Sequence, residues 1–248
     1  MEEETYKELA EHLDVGIVGV PESPILIKIL EILFPGEEAE VALRLTLEEK
    51  TLDELKGVIP EKADSLEGIL TRMARRGTVF TNQPPGAERI YRLLPSIVGF
   101  SETPFWAGKD TEMTRALAPL WVKYLFEGFG QELARGTQLV RVIPISESLK
   151  DSSEVLPFDA LKERLDEVSF MAVAHCPCRQ MRRYVGKGCD HTLENCLHFG
   201  TMGRYMVEQE MAREITKEEV LKILEKANEE GLVHVCDNYQ GRLSTICN

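Results

Sequence analysis

Four cysteines, Cys176, Cys178, Cys189 and Cys196, fall within 21 residues of a chain that has six, and His175, His191 and His198 stand among them. Thiolates crowded into one short segment can enclose a tetrahedral zinc or an iron–sulfur cluster. Zinc sites usually use paired C-x-x-C knuckles, and the spacing Cys176-x-Cys178-x10-Cys189-x6-Cys196 has none. Pro177 pushes Cys176 toward extended backbone, which predicts alpha carbons of Cys176 and Cys178 ~6.6 Å apart. That separation suits ligands to two irons of a cluster better than two ligands of one zinc. It also lies at the upper edge for a disulfide.

The neighbouring residues point the same way. From 176 to 200 the charges are Arg179, Arg182, Arg183 and Lys187 against Asp190 and Glu194, a local +2 in a chain of net charge −13. Cations and backbone amides near a thiolate-held cluster offset its negative charge. Gly186, Gly188 and Gly200 are expected to let backbone N–H groups approach the sulfurs. With four cysteines at hand the histidines are expected beside the metal, with His191 and His198 placed to hydrogen bond toward it. One 4Fe–4S cluster on Cys176, Cys178, Cys189 and Cys196 is the leading expectation. The alternatives are zinc, and a reduced, metal-free loop. Cys236 reads as a core residue, Cys247 has no assigned role, and His12 and His234 carry no signal.

Composition bounds the class. At 248 residues, 43% apolar and 29% charged, the chain is that of a globular protein of one large or two small domains. No repeat or low-complexity tract occurs. No apolar run approaches the ~20 residues of a membrane span, and the acidic start "MEEETYKELAEH" is unlike a signal peptide. The expectation is a cytoplasmic protein without a membrane partner, where clustered cysteines bind metal or do redox chemistry. Residues 1–60 hold 15 acidic and 5 basic side chains, which makes nucleic acid a poor default partner. No P-loop, dinucleotide fingerprint or nucleophile–base pair is present, so an electron carrier or oxidoreductase subunit is favoured over an independent catalyst.

The elements that would position the cysteines read as α+β: a winged helix with an acidic N-terminal arm (1–100), a helical linker (101–136), and a mixed cysteine-rich domain (137–248). "SPILIKILEILF" (23–34), "EEAEVALRLT" (37–46), "TLDELKGVI" (51–59) and "SLEGILTRMARRG" (65–77) have helical spacing, with Thr51 and Glu54 forming a capping box and Ser65 a cap. "TVFTN" and "RIYRLLP" around "QPPGAE" predict a hairpin. Arg72, Arg75 and Arg76 would suit a DNA-recognition helix, but basic residues in a last turn also complement the helix dipole. Pro119 is expected to kink or break the helix after 110, whose aromatic residues fit a core or a homodimer contact. Strands are expected at 139–145 and 169–175 and helices at 158–168, near 201–212 and at 216–231. A terminal hairpin closes the domain.

The segments "RVIPIS", "CPCR", "GKGCDHTLENCLHFG", "ITKEEVLKILEKANEEGLVH" and "STICN" together resemble a family of iron–sulfur proteins from anaerobic bacteria and archaea. Its members join a winged-helix region to a cysteine-rich core, commonly followed by a ferredoxin-type domain with two 4Fe–4S clusters. The likeness runs from about residue 22 onward and is most specific in the cysteine segment. It implies electron transfer through Cys176, Cys178, Cys189 and Cys196. In the family the equivalent of "TICN" tends to run on into further cysteines, whereas this sequence stops at Asn248. The expectation is therefore a redox partner protein or ferredoxin-type subunit that gives or takes the electron. A redox-sensing winged-helix regulator and a zinc-stabilised interaction module are the competing functions.

Overall fold

The structure is a computed structural model that describes residues 2–15, 18–134, 140–143, 161, 164–237 and 243–248. It is mixed α+β with two small antiparallel sheets. The chain divides into two units, Met1–Gly136 with Pro177–Gly188, and Thr137–Cys176 with Cys189–Asn248. Among the described residues no helix is long and apolar enough to cross a membrane.

The first unit opens with α1 (Glu2–Leu13). The acidic arm expected from sequence is thus a helix, because Tyr6, Leu9, Ala10 and Leu13 recur at helical spacing and are buried. Helix α2 (Pro24–Leu33) begins at Ser23, whose side chain accepts from the Leu26 amide, and Pro24 takes the first helical position, where no amide is needed. Helix α3 (Glu37–Ala42), strand β1 (Lys50–Thr51) and helix α4 (Leu52–Val58) follow. The capping box of Thr51 and Glu54 is present. Helix α5 (Leu66–Arg76) buries Leu66, Ile69, Leu70, Met73 and Ala74 along one stripe. Ser65 does not cap it; its hydroxyl donates to the Lys62 carbonyl because a preceding short turn places it there. Gly77 ends α5 at φ +83°, and a Cβ there would lie 2.2 Å from Thr103 Cβ.

Strands β2 (Val79–Asn82) and β3 (Ile90–Leu93) make the expected hairpin, and β1 adds to β3, giving the sheet order β1-β3-β2. The stretch read as a linker is interior. Phe100, Phe105 and Trp106 are buried, the last two on α6 (Thr103–Trp106). Helix α7 (Glu112–Tyr124) runs through Pro119 without stopping, and α8 (Gly130–Ala134) follows. Trp121, Tyr124 and Phe129 pack as a cluster of rings, with Tyr124 stacked on Phe129 at 5.1 Å. The aromatic residues of this segment are therefore mostly core, although Phe126 is exposed.

The second unit is built on a six-stranded sheet of order β4-β8-β9-β6-β5-β7. Its strands are β4 (Val140–Val142), β5 (Met171–His175), β6 (Glu194–Phe199), β7 (Arg213–Glu214), β8 (Val235–Asp237) and β9 (Thr245–Cys247). Of the strand expected at 139–145, residues 139, 144 and 145 lie outside the described residues. Of the helix expected at 158–168, residues 161 and 164–166 are helical, and 158–160, 162 and 163 lie outside them. The turn of the terminal hairpin, 238–242, also does. In the cysteine segment the chain forms helix α9 (Pro177–Tyr184), grouped with the first unit. Helices α10 (Gly200–Glu208) and α11 (Lys217–Glu229) complete the second unit. A capping box of Thr216 and Glu219 starts α11.

One row across this sheet, Cys236, Ile246, Leu197 and Val173, belongs to the core with Val220 and Leu224 of α11. Successive side chains alternate between faces. The residues one step along these strands therefore belong to the opposite face.

Candidate metal centre

The segment 176–200, expected to be one loop, is a helix, a short connection and a strand. Cys176 follows β5 and is buried, and its amide donates to the Leu193 carbonyl at 2.7 Å. Pro177 then opens α9 instead of prolonging the extended chain. Proline's fixed φ suits a first helical position as well as a strand end. Cys178 accordingly stands exposed in the first turn of α9. Within the first unit, α9 is held by the Tyr184 hydroxyl, 3.2 Å from Thr114 Oγ1 and 3.1 Å from Asp110 Oδ1.

The glycines do other work than the sequence suggested. Gly186, at φ +69°, turns the chain out of α9 while the Lys187 amide donates back to Arg182 O. A Cβ on Gly188 would lie 2.3 Å from Arg183 Cγ, so close packing against that side chain requires glycine. The Gly200 amide donates to Phe170 O and is thereby taken.

Cys189 is exposed, and Cys196 is half-buried in β6. The connection between them is anchored by Glu230, which the sequence did not mark. Its carboxylate accepts from the Thr192 amide at 2.8 Å and from the Thr192 hydroxyl, and lies 3.6 Å from His191 Nδ1. These bonds, those from Thr192 first, hold the Glu230 carboxyl below the usual carboxylate range.

In the β5–β6 pair Cys196 stands opposite Ala174, and the register shifts between Ala174 and His175. Cys176 directly follows β5, one residue past this register shift, while Cys196 lies off the Leu197–Val173 core row. His198 is on the face of Cys196. Its Nε2 is 3.2 Å from Cys196 Sγ, the contact expected from sequence, and its Nδ1 is 3.5 Å from Thr245 Oγ1. Burial pushes the His198 imidazole down to about 4, so it meets the sulfur as a neutral ring at ordinary pH. Asn195, 2% exposed, buries its Nδ2 without a hydrogen-bond partner from the protein.

Two residues set aside at the sequence level have structural parts. His12 Nε2 is 2.7 Å from the Leu45 carbonyl, and buried His234 is 2.7 Å through Nδ1 from Asn248 Oδ1. Among the described residues no three His, Cys, Asp or Glu side chains are gathered closely enough to hold a single metal ion. Compared with models of known protein families, with curated proteins and with solved structures, the chain matches none.

Proposed function

We propose that the protein is an electron-transfer iron–sulfur protein or subunit, carrying one 4Fe–4S cluster on Cys176, Cys178, Cys189 and Cys196. The observation that carries this reading is the sulfur-bearing end of the β5–β6 pair. There His198 meets the Cys196 sulfur, and Cys176 directly follows the strand paired with β6. The residues present fit such a group: soft thiolate donors in a basic surrounding segment.

When bound, the cluster supplies one-electron chemistry. The chain's own residues hold it through sulfur, offset its negative charge with Arg179, Arg182, Arg183 and Lys187, and place a neutral imidazole against one ligand. Electrons would pass to and from a redox partner protein or ferredoxin-type subunit.

The finer fold reading is also proposed. Residues 24–95 follow the winged-helix order of helices, strand, two helices and hairpin, and the strand order β1-β3-β2 is compatible with it. Its α5 arginines favour an architectural or protein-contact role over DNA binding. Arg72 Nη2 donates to Glu37 Oε1 at 2.7 Å, and Arg76 Nε donates to the buried Glu38 carboxylate at 3.1 Å.

The test is a reductive titration of anaerobically purified protein. A broad visible absorbance that bleaches with about one electron per chain and returns on reoxidation supports the reading. A chain whose spectrum is unchanged by dithionite contradicts it.

A further inference from the structure

The sheet row that carries Cys196 carries a second cysteine from outside the 176–196 segment. Strands β6 and β9 pair with Leu197 opposite Ile246 and His198 opposite Thr245. One step along, the same register sets Cys196 opposite Cys247. The Phe199 amide donates to Ser244 O at 2.9 Å, so directly hydrogen-bonded pairs fall at 199/244 and 197/246. Cys196 and Cys247 are therefore a non-hydrogen-bonded pair, the kind with alpha carbons only about 4.5 Å apart and side chains closest together. On the far side of β9, Val235 stands opposite Cys247, and on the far side of β6, Ala174 stands opposite Cys196.

The end of β9 is tied down beside this pair. Asn248 Nδ2 donates to Asn195 O at 2.8 Å, and Asn248 Oδ1 lies 2.7 Å from His234 Nδ1. Asn248 and His234 are both buried. A sulfur on a strand fixed at this point is already positioned before any metal arrives. Cys236 has none of this character, since it lies on the other face within the apolar core.

We infer that Cys247 is a sulfur ligand of the same metal centre as Cys196. This inference rests on the iron–sulfur reading and alters its ligand set: with Cys247 included, one of the four segment cysteines becomes dispensable. Two thiolates side by side on one sheet face repel, and a shared soft cation site removes that repulsion.

The experiment uses the full chain, wild type and six single cysteine variants, purified anaerobically and reconstituted with ferrous iron and sulfide. Far-UV circular dichroism confirms folding, and iron, sulfide and the electron paramagnetic resonance spectrum of the reduced protein are read. Cys247→Ala is expected to lose at least half of the wild-type iron, as Cys196→Ala does, and one of the other segment variants to keep it. A Cys247→Ala protein with wild-type iron and an unchanged spectrum overturns this inference while leaving the iron–sulfur reading intact. A wild-type chain that takes up no iron and sulfide overturns both. A second readout needs no variant. Cys247 is exposed, so the change in its alkylation by iodoacetamide on loading reports its coordination. Alkylation of Cys247 is expected to be at least tenfold slower in the loaded protein than after chelator treatment. Equal rates contradict the inference.

Discussion

Cys196 and Cys236 are the same residue type on one sheet, yet the strand alternation gives them opposite surroundings. Cys236 is 4% exposed in a row with Ile246 and Leu197, where a thiol behaves as a small apolar group. Cys196 faces His198, whose ring burial keeps neutral. Serine at 236 would place a hydroxyl among apolar side chains, and we expect a loss of ~1–3 kcal/mol in urea unfolding with iron content unchanged. Iron lost from Cys236→Ser to the same extent as from Cys196→Ser would show that the faces do not separate the two roles. Part of this was legible in the sequence. The apolar character of "LVHVC" marked Cys236 as core, whereas "ENCLHF", expected as part of a loop, is strand β6. Cys247 was illegible, because its significance is a cross-strand register that no local spacing encodes.

At the scale of elements, the connection from Cys189 into β6 depends on a residue at the other end of the unit. Glu230 caps the end of α11 and receives both polar groups of Thr192. Its carboxyl is held below its ordinary value, so the stabilisation is complete above the unfolded value of about 4.3. It is lost as pH falls through the lower folded value. Protection of the Thr192 amide from hydrogen exchange should hold from neutral pH to about 5 and decline in more acid solution. In Glu230→Ala the amide should be poorly protected even at neutral pH, because no side-chain acceptor remains. A Thr192 amide equally protected at pH 3 and pH 7 would contradict this anchoring. The capping boxes at Thr51 and Thr216 were readable because both partners lie three residues apart. Helix α9 was not, since Pro177 reads equally well as prolonging the extended chain of the preceding strand. It is held by the Tyr184 hydroxyl, whose partners Thr114 and Asp110 are 70 and 74 residues away in sequence. Glu230 was hidden by its distance, 38 residues from Thr192.

At the scale of the molecule, the order of predicted helices and strands correctly pointed to a mixed α+β chain, and the helical hydrophobic rhythm located most of the first unit. Residues 101–134, expected as a linker, belong to the first unit, and Phe105, Trp106 and Trp121 are buried in it. Phe100, Phe105, Trp106 and Trp121 are the reason: aromatic side chains of that size bury wherever a helix face is open to them. The acidic first sixty residues form helices whose charges lie outward or pair with α5, as Glu37 and Glu38 do with Arg72 and Arg76. We propose above all that this chain holds an iron–sulfur cluster through its clustered cysteines. The most direct test is iron, acid-labile sulfide and zinc analysis of protein purified without oxygen. About four iron and four sulfide per chain, with negligible zinc, is the expected result. A colourless protein with one zinc per chain and no labile sulfide would contradict it.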